Sequence, residues 1–329
     1  MLDPSIRQRT AHVNGVSLEV LEAGEPGNPV IVLSHGFPEG AYSWRHQLVP
    51  LAEAGYHVLA PYQRGYGAST VPTEVSDYGI ESLTDDLLAL VEAAGSENAI
   101  YVGHDWGALI VWEMARLHPE RVTAVVGVSV PFVAWPGPPT QLMKMMYADR
   151  FFYMLYFQQI GPPEAELGAD PRVTQGDILW GASGPGRPDE IPTELPPMEG
   201  TGFLTMMPIP PELPWSGPEG VWLTEADLDR YVADFTTSGY FGPVSYYRNL
   251  DANFEVIKNL SSDRLTMPSY FIGGEKDLVL VMDAFGIERM QNLLPDFRGH
   301  TLIPGAGHWT QQETPAAFNA ALLGFLGTL

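Results

Sequence analysis

Apolar runs in the first part of the chain alternate with segments whose apolar positions have helical spacing. Strands are predicted at residues 16–21, 29–33, 56–60, 99–102 and 122–130. Helices are predicted at residues 44–54, 80–94 and 108–117. The pair Asn14-Gly15 predicts a tight turn that joins His12-Val13 to the first of these strands. Such alternation indicates a mostly parallel central sheet flanked by helices.

The pattern changes at Pro131, where proline and glycine become dense and the alternation of strands and helices stops. Helices are predicted in this region at residues 141–160, 224–235 and 242–250, and residues 187–218 are expected to be mostly loop. Thr224 and Asp227 have the spacing of a capping box, with Asp in place of the usual Glu.

The α/β pattern then resumes, with strands predicted at residues 268–272 and 300–303 and helices at residues 283–294 and 315–326. We therefore expect one α/β core built from residues 1–131 and 261–329. Residues 132–260 are expected to form an inserted, mainly helical cap.

The charge of the chain narrows the range of partners. The 329 residues carry a formal net charge of -23, and the only lysines are Lys144, Lys258 and Lys276. Such a charge repels phosphate backbones and anionic lipid, so neither nucleic acid nor a membrane surface is an expected partner. The absence of cysteine excludes disulfides and thiolate chemistry. No signal peptide or stretch of about 20 apolar residues is visible, so a cytoplasmic protein is expected.

The first candidate for chemistry is Gly103-His104-Asp105-Trp106-Gly107, between a predicted strand and a predicted helix. The spacing is that of a nucleophile elbow, in which the central side chain is exposed at the carboxyl edge of a sheet. Asp105 is therefore a candidate nucleophile. The alternative is a surface aspartate in an ordinary turn, because short motifs also occur by chance.

An aspartate nucleophile whose ester must be hydrolysed needs a base and an acid that orients the base. His308 lies in a glycine-rich loop after a predicted strand, downstream of Asp105, and is the candidate base; capping of the next helix is its alternative role. Asp277, after the strand at 268–272, is the candidate acid, and Glu275 is its rival.

Two backbone amides are candidates for an oxyanion hole, those of Trp106 and of Phe37, which lies in the loop after an early strand. Neither a complete dinucleotide fingerprint nor a cluster of metal ligands is present in the sequence, so no cofactor and no metal are implied.

Four segments together resemble the soluble epoxide hydrolases of the α/β-hydrolase fold, over nearly the whole chain. They are His35-Gly36-Phe37-Pro38-Glu39, Gly103-His104-Asp105-Trp106-Gly107, Glu275-Lys276-Asp277 and Gly307-His308-Trp309-Thr310-Gln311. The inserted region resembles the cap domain of that family.

The resemblance implies two cap tyrosines that hydrogen-bond the epoxide oxygen. The family contexts match around Tyr153 and around Tyr247, and the neighbouring Tyr156 and Tyr246 remain alternatives for these roles. Because aromatic residues also cluster for packing alone, sequence does not decide between each pair.

The implied activity is opening of lipophilic epoxides to vicinal diols through an ester on Asp105, with water as the second reactant. Detoxification is an expected role, and a homodimer is a possible assembly. We expect substrate contacts from Phe37, Trp106, Phe152, Met154 and Trp309. Haloalkane or fluoroacetate dehalogenases share the nucleophile and are the nearest alternative, and a catalytically silent ligand-binding relative is a more distant one.

Overall fold

The structure is a computed structural model that describes residues 2–187 and 194–329. Its strands are β1 (Arg7–Val13), β2 (Val16–Ala23), β3 (Val30–Ser34), β4 (His57–Pro61), β5 (Ala99–His104), β6 (Val122–Val128), β7 (Trp215–Gly217), β8 (Gly220–Leu223), β9 (Ser269–Gly274) and β10 (Phe297–Ile303). Eight of them form one sheet in the order β1-β2-β4-β3-β5-β6-β9-β10, and β7 pairs with β8 in a separate two-stranded sheet.

The large sheet is mostly parallel, as predicted. Only β1 with β2 and β2 with β4 pair antiparallel, and the other neighbours in this sheet are parallel. The turn between β1 and β2 is formed by Asn14 and Gly15, whose φ values are 46° and 73°, and it places Val13 opposite Val16. Positive φ at two successive positions is the backbone that an Asn-Gly hairpin turn requires.

The centre of the sheet is apolar on both faces. Every residue of β3, β4 and β5 is buried, because helices cover the sheet from both sides. Burial of each large aliphatic side chain in such a position stabilises the fold by about 1.5–3 kcal/mol. The carboxyl ends of β3, β5, β6 and β9 therefore lie side by side on a rigid base.

The helices of the first part are α1 (Leu48–Glu53), α2 (Ile80–Ala93) and α3 (Trp106–Leu117). Between β6 and β9 come α4 (Pro139–Tyr147), α5 (Tyr153–Tyr156), α6 (Pro162–Ala169), α7 (Pro171–Gly181), α8 (Glu225–Ser238), α9 (Phe241–Arg248) and α10 (Leu250–Ile257). The last part contains α11 (Leu278–Met282), α12 (Gly286–Leu293), α13 (Thr310–Glu313) and α14 (Pro315–Leu326). Within the described ranges, no helix has the length and hydropathy needed to span a bilayer.

The prediction of one helix over residues 141–160 is wrong. Helix α4 ends before Ala148, whose φ of 50° is incompatible with a continuing helix, and α5 starts only at Tyr153. The intervening segment is bound to another part of the chain, because Phe151 N–H donates to Pro196 O at 2.7 Å and Met198 N–H donates to Asp149 O at 2.7 Å. These long-range bonds replace helical ones.

Other boundaries also differ from the prediction. The predicted helix at 44–54 is a short 3₁₀ turn at Ala41–Trp44 followed by α1, and the predicted helix at 283–294 corresponds to α12 alone, with the unpredicted α11 ending just before that range. Helices α6 and α7 were not predicted, although Asp170, whose side chain accepts from Arg172 N–H and Val173 N–H, caps α7. The described part of 187–218 is mostly loop, while 188–193 lie outside the described residues. The capping box at Thr224 and Asp227 is confirmed.

Candidate active site

Asp105 occupies a strained turn between β5 and α3. Its backbone has φ 52° and ψ -117°, a conformation that non-glycine residues adopt only where the surroundings enforce it. A Cβ added to Gly103 would lie 2.1 Å from Gly107 O, and one added to Gly107 would lie 2.0 Å from Ser34 O. Glycine is therefore required on both sides, and the spacing that suggested an elbow in the sequence has a steric cause.

The loop after β3 brings a donor to the carboxylate of Asp105. Phe37 N–H donates to Asp105 Oδ1 at 2.7 Å, and a Cβ on Gly36 would lie 2.4 Å from the same oxygen. Trp106 is the first residue of α3, where backbone N–H groups have no partner within the helix. The two predicted oxyanion donors thus flank Asp105 from two sides.

His35 holds this loop in place. Its Nε2 accepts from Gln63 N–H at 3.1 Å, and its Nδ1 lies 3.1 Å from Gly36 O. Burial lowers the pKa of His35 to about 4, so the ring is neutral at pH 7 and donates from Nδ1. His35 thus braces the loop through both ring nitrogens.

His308 lies between two carboxylates. Its Nε2 is 3.6 Å from Asp105 Oδ2, and its Nδ1 is 3.0 Å from Asp277 Oδ2. Asp277 follows β9 and caps α11, where it also accepts from Val279 N–H at 2.9 Å. Glu275, the rival acid, is exposed, and its Oε2 lies 3.3 Å from Gly305 N. The structure thus brings together Asp105, His308 and Asp277, and it leaves Glu275 outside the group.

Mutual charge sets the protonation of this group. Burial disfavours the imidazolium, but Asp277 and Asp105 outweigh burial and raise the pKa of His308 well above its usual range. Burial likewise raises the pKa of Asp105, and the neighbouring His308 more than compensates and holds it below its usual value. The free site is therefore an ionised carboxylate beside an imidazolium.

A buried network behind the elbow positions His308. His104 Nε2 lies 2.8 Å from His308 O, and its Nδ1 lies 2.7 Å from Glu39 Oε2. Gln312 Nε2 donates to Glu39 Oε1 at 2.5 Å, while Glu313 accepts from Gly307 N–H and Trp309 N–H. No role is predicted from the sequence for Glu39, His104, Gln312 or Glu313, although Glu39 and His104 lie within the motifs that carry the family resemblance.

Tyr153 and Tyr247 face the same cavity as Asp105. Their ring centroids are 5.8 Å apart, and the Tyr247 ring packs edge-on against Trp106 at 5.0 Å. Gln158 joins the segments that carry the two tyrosines, because its Nε2 lies 2.8 Å from Met154 O and 2.9 Å from Tyr247 O. Burial, together with the charge of Asp105, raises the pKa of both phenols far above their usual range. Both therefore remain protonated hydrogen-bond donors.

The alternative tyrosines have other roles. Tyr246 OH donates to Arg64 O at 2.9 Å, and its ring packs between those of Tyr66 and Tyr78. Tyr156 lines a different cleft at the surface of the inserted region, beside Asp149 and Gln159. The geometry favours Tyr153 and Tyr247 as the pair that faces Asp105.

The cavity beside Asp105 has a volume of about 400 Å³, within the usual range for small-ligand sites. Of the residues expected to contact substrate, Trp106, Phe152 and Met154 line it. Phe37 and Trp309 are not among its lining residues. The Phe37 ring packs against Tyr247 at 5.7 Å, while Trp309 is buried behind His308 and donates from Nε1 to Leu179 O at 2.7 Å. Their side chains support the site from outside the cavity.

Comparison with known proteins agrees with this geometry. A family model described as the alpha/beta hydrolase fold matches residues 29–160. Epoxide hydrolase A of Mycobacterium tuberculosis is 44% identical over 320 residues, 97% of each chain. An epoxide hydrolase of Caballeronia sordidicola is 35% identical and covers 98% of this chain and 94% of its own. The crystal structure of epoxide hydrolase A from Mycobacterium thermoresistibile superposes with a TM-score of 0.90 at 44% identity, over 98% of both chains.

These matches extend through the sheet, the elbow and the inserted helices. The fold is that of an α/β hydrolase. Within that fold, the chain belongs to the epoxide hydrolase family.

Proposed function

We propose that this protein opens lipophilic epoxides to vicinal diols through a covalent ester on Asp105. The observation that carries the proposal is the placement of the Asp105 carboxylate in one cavity with two phenol donors, next to the His308–Asp277 pair. A nucleophile, two donors for the leaving oxygen and a base for water are the groups that this two-step reaction needs.

In the first step, Asp105 Oδ2 attacks an epoxide carbon. Oδ1 is held by Phe37 N–H, so Oδ2 is the oxygen free to form the new bond. The carbon–oxygen bond of the ring breaks, and Tyr153 or Tyr247 protonates the departing oxygen. Two donors directed at an oxygen that becomes negative stabilise the transition state more than the ground state. The products of this step are a hydroxyalkyl ester and one phenolate.

Ester formation changes the protonation of His308. Asp105 loses its negative charge, so one of the two carboxylates that raise the pKa of His308 is removed. The imidazolium then releases a proton and the phenolate regains one, which leaves a neutral His308 and two phenols. The nucleophilic step thereby generates the base that the second step uses.

In the second step, His308 Nε2 removes a proton from water, and the hydroxide attacks the carbonyl carbon of Asp105. The amides of Phe37 and Trp106 are the proposed donors to the oxyanion, and Asp277 stabilises the imidazolium that forms. Collapse of the tetrahedral intermediate breaks the bond to the alkyl oxygen, and that oxygen takes up the proton of the intermediate's hydroxyl group. The diol is released, and the carboxylate and the imidazolium of the free site are restored. A serine nucleophile would form an ether, which has no carbonyl for water to attack, and this is the chemical reason for aspartate.

A single turnover in water labelled with heavy oxygen tests the covalent route. The label is expected first in the carboxylate of Asp105, detected by mass spectrometry of the peptide that contains it, and the first diol is expected to be unlabelled. Label in the diol of the first turnover would instead mean direct hydration. Halide release from haloalkanes without formation of diol from epoxides would favour the dehalogenase alternative. Loss of hydrolysis in Asp105→Ala would rule out the catalytically silent ligand-binding alternative.

We also propose that residues 1–131 and 261–329 are the catalytic core and that residues 132–260 are its cap. Supporting this division, α4 to α10 all lie between β6 and β9, and the strands of this region pair only with each other. A cytoplasmic location and a homodimer stay predictions, which fractionation and sedimentation experiments can check.

A further inference from the structure

Most of the cavity lining continues from Asp105 towards the segment after β6. Asp105 follows β5, which lies between β3 and β6 in the sheet. The lining comes from the segment after β6, from α10 and from α11 with its following loop, as in Val133, Phe254, Ile257 and Met282. Among the lining residues, those of the segment after β6 and of α11, which follows β9, lie on the β6 side of the nucleophile. A substituent of the bound epoxide has room on this side.

On the β3 side, aromatic rings fill the space beside the two tyrosines. Phe157 is fully buried and packs against Phe37 at 5.6 Å, Phe203 at 5.2 Å and Tyr247 at 5.0 Å between ring centroids. Phe203 also packs against Tyr153 at 5.5 Å. We call Phe37, Phe157 and Phe203 the aromatic plug. Such interiors are close-packed, so a second large substituent would have to displace one of these rings.

The inserted region also lies directly on the His308 loop. A Cβ added to Gly307 would lie 2.2 Å from Gly184 N, and His308 N–H donates to Ala182 O at 2.8 Å. The backbones of the two segments are in contact with no side chain between them. This contact leaves no passage for a substituent between the His308 loop and the segment at Ala182–Gly184.

The charged groups along the open side do not suit an anionic substrate. The cavity is lined by the carboxyl groups of Asp105, Glu113 and Asp283 and by one guanidinium, that of Arg289. Arg289 is occupied, since it forms a bidentate ion pair with Asp283 and donates from Nε to Phe132 O. A carboxylate on the substrate would enter a largely apolar space and meet no free cation among these lining groups, which is costly.

We infer that the substrates of this enzyme are uncharged terminal epoxides with a single apolar substituent, and that the aromatic plug excludes epoxides substituted at both carbons with long chains. The inference rests on the proposed function and specifies its substrate class. It assigns Phe203 as a residue that determines specificity through its position beside Tyr153.

Two matched pairs of substrates test the inference. The first pair is 1-decene oxide and its isomer 5-decene oxide, which differ only in the position of the ring. We expect kcat/KM to be at least ~10-fold higher for the terminal isomer, the factor that one badly placed alkyl group produces in a packed pocket. The second pair is the epoxide of 10-undecenoic acid and its methyl ester, and we expect the ester to be preferred by at least ~10-fold.

Equal kcat/KM values within the decene pair would overturn the exclusion by the aromatic plug, and a preference for the free acid would overturn the expectation of an uncharged substrate. Neither result would affect the proposed function, because diol would still form. Failure to hydrolyse any of the four epoxides would overturn the proposed function itself.

A pair of Phe→Ala variants locates the cause of the selectivity. Phe203→Ala removes part of the plug and is expected to reduce the preference for 1-decene oxide over its isomer by ~5-fold or more. Phe254→Ala enlarges the open side and should leave that preference within about 2-fold of the wild-type value. The ratio of two kcat/KM values does not depend on the fraction of folded enzyme, and Phe203→Val provides a milder change. An unchanged ratio in both Phe203 variants would overturn the assignment.

Discussion

His308 Nε2 faces Asp105 Oδ2 at 3.6 Å while the opposite edge of the same ring is bound to Asp277. One imidazole therefore responds to two carboxylates, of which only Asp105 changes its charge during the proposed cycle. Consequently the state of the nucleophile controls the basicity of the base. Separate measurements of ester formation and ester hydrolysis can observe this coupling.

Replacement of His308 should separate the two steps. In His308→Gln, Asp105 can still attack, but no base activates water, so the ester is expected to accumulate and turnover to fall by at least ~10³-fold. Mass spectrometry of the intact protein should show an increase equal to the mass of the epoxide. Asp105→Asn is the control and should form no adduct. Retained turnover without an adduct in His308→Gln would contradict the assignment of His308.

The pH dependence of the two steps should differ. The pKa of Asp105 is lowered, and the pKa values of Tyr153 and Tyr247 are raised, so carboxylate and phenols keep their active forms from about pH 5 to about pH 9. Ester formation is therefore expected to be nearly constant over this range. Ester hydrolysis needs neutral His308, so its rate should increase with pH through the pKa that His308 has in the esterified enzyme. That pKa lies below the pKa of His308 in the free enzyme, because esterified Asp105 carries no charge.

Single-turnover fluorescence of the tryptophans near the site can separate these rates at each pH. An ester-formation rate that increases with pH, in parallel with hydrolysis, would mean that neutral His308 is already required in the first step. That result would contradict the proposed order of events.

Removal of either cavity phenol should slow ester formation. Tyr153→Phe and Tyr247→Phe each lose one donor to the departing oxygen, which costs about 10²–10³-fold in rate where such donors have been removed. Tyr156→Phe and Tyr246→Phe are matched controls, because neither tyrosine lines the cavity. The hydroxyl group of Tyr246 instead donates to Arg64 O. The controls should stay within about 3-fold of the wild type. A larger loss in Tyr246→Phe than in Tyr247→Phe would reverse the assignment.

Gly36 is expected to tolerate no side chain. In Gly36→Ala the new Cβ would lie 2.4 Å from Asp105 Cβ and Oδ1, so the nucleophile must move and kcat should fall by ~10²-fold or more. Gly168→Ala, where the added Cβ has no neighbour within 4 Å, should leave kcat unchanged. Far-ultraviolet circular dichroism and thermal unfolding of both variants distinguish displacement of Asp105 from loss of fold. Normal kcat in Gly36→Ala would show that the loop after β3 can shift freely.

The elbow and most strands of the large sheet could be predicted because their signals are local. The glycines around Asp105 are fixed by backbone contacts within the turn and with Ser34, and the apolar runs that became β3 and β5 are buried along their whole length. The position of the preceding strand likewise identified the loop that carries Asp277 and its rival Glu275, and the structure places only Asp277 beside His308. These parts of the site depend on few residues outside their own segments.

The inserted region could not be predicted to the same depth. A continuous helix at 141–160 would place Tyr153 and Tyr156 on one face, and only the break at Ala148 and the new start at Tyr153 separate their environments. That break is stabilised by bonds to Pro196 and Met198, about 45 residues further along the chain. Phe203 likewise lies in a segment without periodicity, and no local pattern marks its contact with Tyr153.

The amide of Gln158 has a consequence for how the two parts of the site can move. It binds the backbone beside Tyr153 and the backbone of Tyr247, so the spacing of the two phenols is set within the inserted region, whereas Asp105 and His308 belong to the sheet. A displacement of the inserted region as a unit would therefore move both phenols together relative to Asp105. The two donors for the departing oxygen then reach or leave the nucleophile as a pair.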